Sequence, residues 1–220
     1  MMALGGGVAG LWGGVLVGGA SRRMGESKQL LRFRGVTLLE RAAAALAPHV
    51  TGVVLLGNGP MPEGAAGLPR LADIVLASVG RGAGPTSAAG TGSPTPPAGA
   101  GPLAGMLAAL RWKPEAAWVF APCDLPRIDA AAVAWLVGER RPDRWAVVPR
   151  PEPGGPLHAL FALYEPQARR LLEDLAAGGG RAPRLVAGHS RVAVVTPPAE
   201  IAGAWRGVNT REDLAALAGE

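Results

Sequence analysis

The sequence predicts an α/β fold, a mostly parallel central sheet with helices on both faces. Short and nearly continuous apolar runs alternate with helical patterns along the chain, as expected for strands that are buried on both faces. Hydrophobic residues make up 49% of the chain, and its Gly and Pro residues follow no fibrous repeat. This composition excludes a disordered or collagen-like chain and fits one domain with a sizeable core, spanning residues 1–220.

The strand candidates are short apolar runs rich in Val, Leu and Trp. The first run ends in a Gly pair, and the later ones lie between turn residues or helical patterns. Strands are expected at residues 11–17, 52–56, 71–74, 118–121, 145–148, 159–164 and 192–195.

Helical patterns fill the intervals between the apolar runs. One of them opens at Pro102, because proline suits the first turn of a helix. Right-handed crossovers would bring the loops after the parallel strands to one edge of the sheet, where ligands bind in such folds. Helices are expected at residues 37–47, 103–112, 130–139, 166–176 and 211–217.

The segment 77–101 differs in composition from the rest of the chain. It holds seven Gly and four Pro among 25 residues, together with Ala, Ser and Thr. Such a segment has too little apolar surface to offset the entropy cost of ordering, which predicts a flexible insertion. An inert insertion is favoured over an active-site lid.

Charge and cysteine content limit the partners and the compartment. The 22 basic residues exceed the 17 acidic ones, but they are scattered and do not alternate with aromatic residues, so no nucleic acid partner is expected. The single cysteine, Cys123, cannot form an internal disulfide. The first 21 residues include eight Gly and no basic leader, which argues against a membrane segment and favours a cytoplasmic protein.

The loop after the first strand has the chemistry of a phosphate site. Gly18 and Gly19 allow the backbone to approach a ligand closely, while Arg23 and Lys28 supply positive charge. The Walker pattern is absent, because no Gly-Lys-Ser/Thr follows the glycines. The alternative is an ordinary strand–helix connection that carries surface basic residues.

A carboxylate follows the apolar strand at residues 118–121. Asp124 would lie on the ligand edge of the sheet, where one carboxylate together with substrate phosphates can hold Mg²⁺. Its alternative is a cap on the following turn or helix. The neighbouring Cys123 is interpreted as a small buried apolar residue, since no histidine is close in sequence.

Five segments together resemble the molybdenum cofactor guanylyltransferase family, in the family's order. This resemblance implies a Rossmann-like nucleotidyltransferase fold that binds GTP and Mg²⁺. It also implies transfer of GMP to the phosphate of molybdopterin (or Mo-molybdopterin), release of pyrophosphate, and transient contacts with cofactor-assembly proteins or molybdoenzymes. The segments are residues 16–28, 101–106 (GPLAGM), 123–126 (CDLP), 156–160 (PLHAL) and 208–214 (VNTREDL).

The resemblance also assigns roles to residues of this chain. Lys28 matches the phosphate-binding lysine and Asp124 the aspartate that binds Mg²⁺ and the nucleotide phosphates. Arg23, from the loop described above, would add a further cation in the catalysis. Asn209 matches an asparagine that contacts metal or phosphate. The nucleotide-contacting backbone of the family corresponds to Leu16, Val17 and Gly18, which Gly19 follows in the loop described above, and a further aspartate of the family corresponds to Asp73.

Three residues depart from the family's pattern: the first removes one proposed contact, and the other two bear on the choice of base. Gly207 replaces the first of two asparagines, Ser27 stands where an aspartate is usual, and Leu56 replaces an asparagine, with Asn58 close by. The alternatives are therefore a related cytidylyltransferase, a nucleotide-sugar nucleotidyltransferase, or a non-catalytic nucleotide-binding module. His158 is open to two interpretations, a phosphate donor or a strand residue with a satisfied hydrogen bond.

Overall fold

A seven-stranded sheet lies between helices on both of its faces, which confirms the predicted fold class. The computed structural model describes residues 10–18, 27–72 and 101–219. The strands are β1 (Leu11–Leu16), β2 (Arg32–Phe33), β3 (Val36–Thr37), β4 (Val53–Leu56), β5 (Arg70–Leu71), β6 (Ala117–Pro122), β7 (Ala146–Pro149), β8 (Ala162–Tyr164) and β9 (Val192–Val195). The α-helices are α1 (Leu38–Leu46), α2 (Gly101–Trp112), α3 (Ala130–Gly138), α4 (Ala168–Ala177), α5 (Ala199–Ala202) and α6 (Arg211–Gly219).

The central sheet has the strand order β5-β4-β1-β6-β8-β7-β9. Strand β8 runs antiparallel to both of its neighbours, and every other pairing is parallel. The register aligns the carboxyl ends of the three middle strands, because Leu16 of β1 lies beside both Leu56 of β4 and Pro122 of β6. The loops that leave β1, β4 and β6 therefore start next to one another.

The core is divided by the sheet into two apolar clusters. One face of the sheet packs against α1 and α3 through Leu39, Leu46 and Leu136. The other face packs against α2 and α4, with Leu107 of α2 and Leu172 of α4 fully buried. Burial on both faces explains why the strands are apolar at nearly every position instead of alternating.

Two glycines in β1 allow side chains from both faces of the sheet to pack closely over the central strand. A Cβ atom on Gly14 would lie 2.7 Å from carbon atoms of both Leu56 and Phe120. A Cβ atom on Gly13 would lie 3.3 Å from side-chain atoms of Leu46 and Val50 on the other face. Since real Cβ contacts are longer than the first of these distances, the side chains around β1 are packed for glycine at position 14.

A small hairpin, formed by β2 and β3, precedes α1 and was not among the predicted elements. Its strands have two residues each, which is too short for an apolar pattern to reveal. Phe33 pairs with Val36, so Arg34 and Gly35 form the two-residue turn, both with positive φ. A third apolar cluster joins the hairpin to α6 and contains Phe33, Leu38, Val208, Leu214, Leu217 and Leu31.

Most predicted boundaries agree with the structure within two residues. The clearest difference is the strand expected at residues 159–164, which begins at Ala162 because a turn bonds Phe161 N–H to the carbonyl oxygen of His158 at 3.1 Å. Gly101, the last residue of the predicted flexible insertion, is the first residue of α2. The rest of that insertion lies outside the described residues. Within the described part of the chain, no helix is long and apolar enough to cross a membrane.

Candidate functional site

The candidate site lies at the sheet edge where β1, β4 and β6 end. The side chains of Leu16 and Val17 are buried in the two core clusters, and the Val17 N–H bonds to the Leu56 carbonyl oxygen at 2.8 Å. Gly18 is exposed and has a φ of 111°, a backbone conformation that a side chain would strain. At Gly18 the chain therefore leaves the sheet with its backbone uncovered.

The loop after β4 lines one side of this edge. The guanidinium of Arg70 donates to the carbonyl oxygens of Gly57 and Gly59, and the Gln29 amide donates to that of Pro60 at 3.2 Å. A Cβ atom on Gly59 would lie 3.2 Å from the Gly18 nitrogen, so this loop passes close to the end of β1. These bonds fix the loop backbone beside Gly18.

Lys28 projects its ammonium group into the middle of the site. Its Nζ atom donates to the Val208 carbonyl oxygen at 2.9 Å and to Asn209 Oδ1 at 3.1 Å. It also lies 3.6 Å from Oδ2 of Asp124, which follows β6 directly. Three segments that are distant in sequence thus meet at one edge of the sheet.

The ion pair between Lys28 and Asp124 is partly exposed to solvent. The two side chains retain 21% and 36% of their accessible surface. Ion pairs with this exposure contribute only about 0–1 kcal/mol to stability, since water screens them and long side chains lose entropy. The pair therefore prearranges a cation and a carboxylate that can exchange partners at small cost when an anionic ligand enters.

The chain segment before α6 is bonded to Asp124 and capped by Asp213. The Val208 N–H donates to the main-chain carbonyl oxygen of Asp124 at 2.9 Å. The N–H groups of Asn209 and Thr210 each donate to Asp213 Oδ2 at 2.9 Å, and the Asp213 N–H donates to the Thr210 hydroxyl at 3.0 Å. The hydrogen bonds from these N–H groups hold the pKa of the Asp213 carboxyl below its usual range.

Two further residues near the site have shifted pKa values. Burial raises the pKa of the Cys123 thiol to about 12, and the Asp124 carboxylate acts in the same direction, so this cysteine is an inert packing residue. Burial lowers the pKa of His158 below its ordinary 6.5, opposed by the carboxylates of Asp124 and Glu152. His158 is therefore a neutral imidazole within the electrostatic reach of Asp124 at neutral pH.

The donor set determines what kind of metal site these residues could form. No group of three or more His, Cys, Asp and Glu side chains in the described ranges could hold a metal ion. Asp124 and Asn209 instead offer a carboxylate and an amide oxygen, both within 3.6 Å of the same ammonium group. These hard oxygen donors fit Mg²⁺ that is shared with substrate phosphates, the usual arrangement for this ion.

The structure thus brings Lys28, Asp124 and Asn209 together at the sheet edge where β1 ends at Gly18. Arg23, Gly19 and Asp73 lie outside the described residues, and their predicted roles remain predictions. Sequence reasoning missed the Val208 carbonyl and the Asp213 carboxylate. The Thr-x-x-Asp spacing of residues 210–213 is a helix-capping signal that could have revealed the latter.

Comparison with known proteins identifies relatives along most of the chain. The family model described as the MobA-like NTP transferase domain matches residues 13–192. A molybdenum cofactor guanylyltransferase of Cereibacter sphaeroides is 33% identical over 93% of this chain and 94% of its own length. A protein of the same name from Serratia proteamaculans is 30% identical, covering 90% of this chain and 89% of the relative.

Solved structures share the fold at lower identity. Molybdopterin-guanine dinucleotide biosynthesis protein A from Archaeoglobus fulgidus superposes with a TM-score of 0.64 at 22% identity, covering 94% of this chain and 97% of that one. The 2-C-methyl-D-erythritol 4-phosphate cytidylyltransferase from Thermus thermophilus superposes with a TM-score of 0.59 at 20% identity, covering 94% and 98%. At these identities the likeness concerns the fold alone. The names of the two proteins also refer to different nucleobases, guanine in the first and cytosine in the second.

Proposed function

The chain belongs to the family of MobA-like NTP transferase domains, and we propose that it transfers GMP from GTP to the terminal phosphate of molybdopterin. The observation that carries this proposal is the position of the Lys28 ammonium group between Asp124 and Asn209, at the edge where ligands bind in such sheets. The choice of GTP and molybdopterin rests on the names of the curated relatives and on the five motifs that this chain shares with their family.

The proposed reaction is an in-line displacement at the α-phosphorus of GTP. A phosphate oxygen of molybdopterin forms the new P–O bond, and the bond between the α-phosphorus and the oxygen bridging to the β-phosphate breaks. Pyrophosphate leaves with the bonding electron pair, so no covalent enzyme intermediate and no redox partner are needed. Catalysis of this kind depends on positioning and on neutralising charge at the transferred group.

Lys28 and Asp124 would have complementary roles in this step. The ammonium group of Lys28 would move from the Asp124 carboxylate to the triphosphate oxygens and stabilise the charge that develops on the leaving group. The carbonyl of Val208 and the amide oxygen of Asn209 keep the lysine directed into the site. Arg23 would add a second cation, as the chemistry of the loop after β1 predicts.

The released carboxylate of Asp124, with Asn209 beside it, would hold Mg²⁺ together with the nucleotide phosphates. When bound, this ion supplies charge neutralisation for the phosphate oxygens. Gly18 leaves room for the nucleotide to lie against the backbone at the end of β1, since it has no side chain and its φ disfavours one.

Replacing Lys28 or Asp124 tests the assignment of the site. Lys28→Ala and Asp124→Asn should each lower kcat for pyrophosphate release about 10²–10³-fold, the usual loss for one charge-stabilising contact. The chain has one other lysine, Lys113, which contacts Trp12 and Trp112 at the opposite end of the sheet. Lys113→Ala is therefore a matched control and should keep turnover within about twofold of the parent.

Circular dichroism and thermal melting would show whether the variants fold. If folded Lys28→Ala and Asp124→Asn proteins released pyrophosphate at nearly the parent rate, the site would be assigned wrongly. An equal loss in Lys113→Ala would point to a general effect of removing positive charge and would contradict the proposal as well.

A related cytidylyl transfer is the second candidate. Two residues support this candidate, because Ser27 and Leu56 replace residues that are usual in the guanylyltransferases. Both residues lie near the edge of the sheet where the nucleotide would bind. The shared chemistry leaves Lys28 and Asp124 with the same roles in either case. Only the identity of the transferred nucleotide separates the two candidates.

A further inference from the structure

A cleft lies next to the candidate site, between the β2–β3 hairpin and α6. Its volume is about 490 Å³, which is within the range of ligand and peptide pockets. It begins at Leu30, two residues after Lys28, and its opposite wall begins at Arg211, two residues after Asn209. The residues that line it are Leu30, Leu31, Arg32, Phe33, Arg34, Arg211, Leu214, Ala215 and Ala218.

The cleft combines an apolar floor with a positively charged rim. The floor is formed by Leu30, Phe33 and the α6 face that carries Leu214. The lining residues given above include three charged side chains, and all three are arginines. These arginines, at positions 32, 34 and 211, are exposed. None of the reaction steps proposed above uses this surface.

Arg34 has a backbone conformation that its residue type disfavours. Its φ is 52°. Among the described residues, no other residue except glycine has a positive φ. A two-residue hairpin turn of this kind usually carries Asn-Gly or Asp-Gly, since a long side chain gains nothing there from local hydrogen bonds. An arginine at this position holds its guanidinium at the cleft, 5.3 Å from the Phe33 ring centroid. Strain kept at such a position points to a role for the side chain in binding.

We propose that this cleft docks an acidic, amphipathic helical segment of a partner protein. The apolar side of such a helix would cover Leu30 and the Ala215 and Ala218 positions, and its carboxylates would pair with the arginine rim. A second copy of this chain is a poor occupant, because the chain carries a net charge of +5. A nucleic acid would leave the apolar floor without a partner, since its contacts are mainly with phosphates.

The position of the cleft suggests what docking would achieve. A partner bound between the hairpin and α6 would sit beside Lys28 and Asn209, at the side of the site that these two elements form. The bound partner would then deliver a substrate to the site, or receive a product from it, without release of that molecule into bulk solvent. The docking itself does not depend on the nucleotidyl transfer proposed above, so each proposal can fail alone.

Binding of a designed peptide to the full chain tests the proposal. The probe is a labelled helical peptide, about 16 residues long, with Leu along one face and Glu on the other. A scrambled peptide of the same composition and a peptide with Lys for Glu are the matched probes. We expect the acidic amphipathic peptide to bind, with an affinity that falls as salt is raised, and the other two to bind at least tenfold more weakly by fluorescence anisotropy.

Variants of the cleft locate the binding. Arg34→Asn keeps a residue that tolerates the positive φ and should weaken the peptide about threefold to fivefold. Ala215→Glu keeps a good helix former while adding bulk and negative charge to the cleft, and should weaken it about tenfold or more. Arg170→Asn, an exposed change on α4, is the control and should leave the affinity within about twofold. Pyrophosphate release should be unchanged in Arg34→Asn.

Several outcomes would overturn the proposal. Absence of binding, or equal binding of the scrambled peptide, would show that the cleft does not recognise an amphipathic helix. Parent-like affinity in both cleft variants would locate the peptide elsewhere. An oligonucleotide that bound as tightly, with the same response to the variants, would replace the protein partner with a nucleic acid.

Discussion

Lys28 is held by two groups that lie 180 and 181 residues away in the sequence, the carbonyl of Val208 and the amide of Asn209. Its reach therefore depends on how the segment before α6 is folded. That segment is tied at one end to the Asp124 carbonyl and capped at the other by the Asp213 carboxylate. Asp213 touches no substrate in the proposed reaction, yet it orients the residues that orient Lys28.

Removing the Asp213 carboxylate should loosen the site without unfolding the chain. We expect Asp213→Asn to raise the KM for the nucleotide roughly threefold to tenfold, the size expected for one capping interaction, while kcat changes less. Glu212→Gln is the matched control, since Glu212 is an exposed acidic residue in the same helical turn. Steady-state kinetics of pyrophosphate release would measure both variants.

The pH dependence of this effect has a defined sign. Because the hydrogen bonds from Asn209 and Thr210 lower the pKa of Asp213, its carboxylate is ionised throughout the neutral range and its contribution is lost only in acid. The ratio of the Asp213→Asn and parent KM values should therefore stay constant from about pH 6 to 9. A KM equal to that of Glu212→Gln, or a ratio that varied across this range, would contradict the positioning role.

At the scale of the element, β1 is the strand on which the site depends. It pairs with β4 and β6, and its end carries Gly18 to the ligand edge. Glycines at positions 13 and 14 leave it open to close packing on both faces. The glycines of this chain thus include residues that allow close packing of the sheet as well as residues that allow a ligand to approach the backbone.

A methyl group at position 14 should measurably destabilise the fold. In Gly14→Ala the new Cβ would overlap Leu56 and Phe120, and overpacking of this kind costs about 1–3 kcal/mol. For a chain of this size that corresponds to a fall in Tm of about 2–12 °C. Gly138→Ala, at the end of α3 with no atom within 4 Å of a new Cβ, should be neutral or slightly stabilising. Equal Tm values for the two variants in differential scanning calorimetry would show that β1 can relax.

Prediction of the elements from the sequence succeeded for most of the apolar runs and helical patterns. Strand β9 has the expected bounds, and α1, α3 and β6 differ from expectation by one residue at each end or less. The β2–β3 hairpin was missed, because its turn carries Arg34 where Asn would be the recognisable signal. The contact between Lys28 and Val208 could not be predicted from pattern, since a main-chain carbonyl leaves no trace in the sequence.

At the scale of the whole molecule, the sheet register assembles the site. The end of β1 lies beside the ends of β4 and β6, so Gly18, the loop after β4 and Asp124 all follow strands that end at the same edge. The alternation of strands and helices predicted this edge, and the family resemblance predicted which residues would line it. Neither could predict that β8 runs antiparallel between β6 and β7, since an isolated apolar run carries no direction.

We propose that guanylyl transfer to molybdopterin occurs at the Lys28 and Asp124 site. The most direct test incubates the chain with molybdopterin, Mg²⁺ and an equimolar mixture of GTP, CTP, ATP and UTP, and identifies the pterin dinucleotide by mass spectrometry. The proposal predicts the guanine dinucleotide as the dominant product, formed with pyrophosphate and lost in Lys28→Ala. A cytosine dinucleotide would contradict the choice of base, and nucleotide binding without any dinucleotide product would contradict catalysis itself.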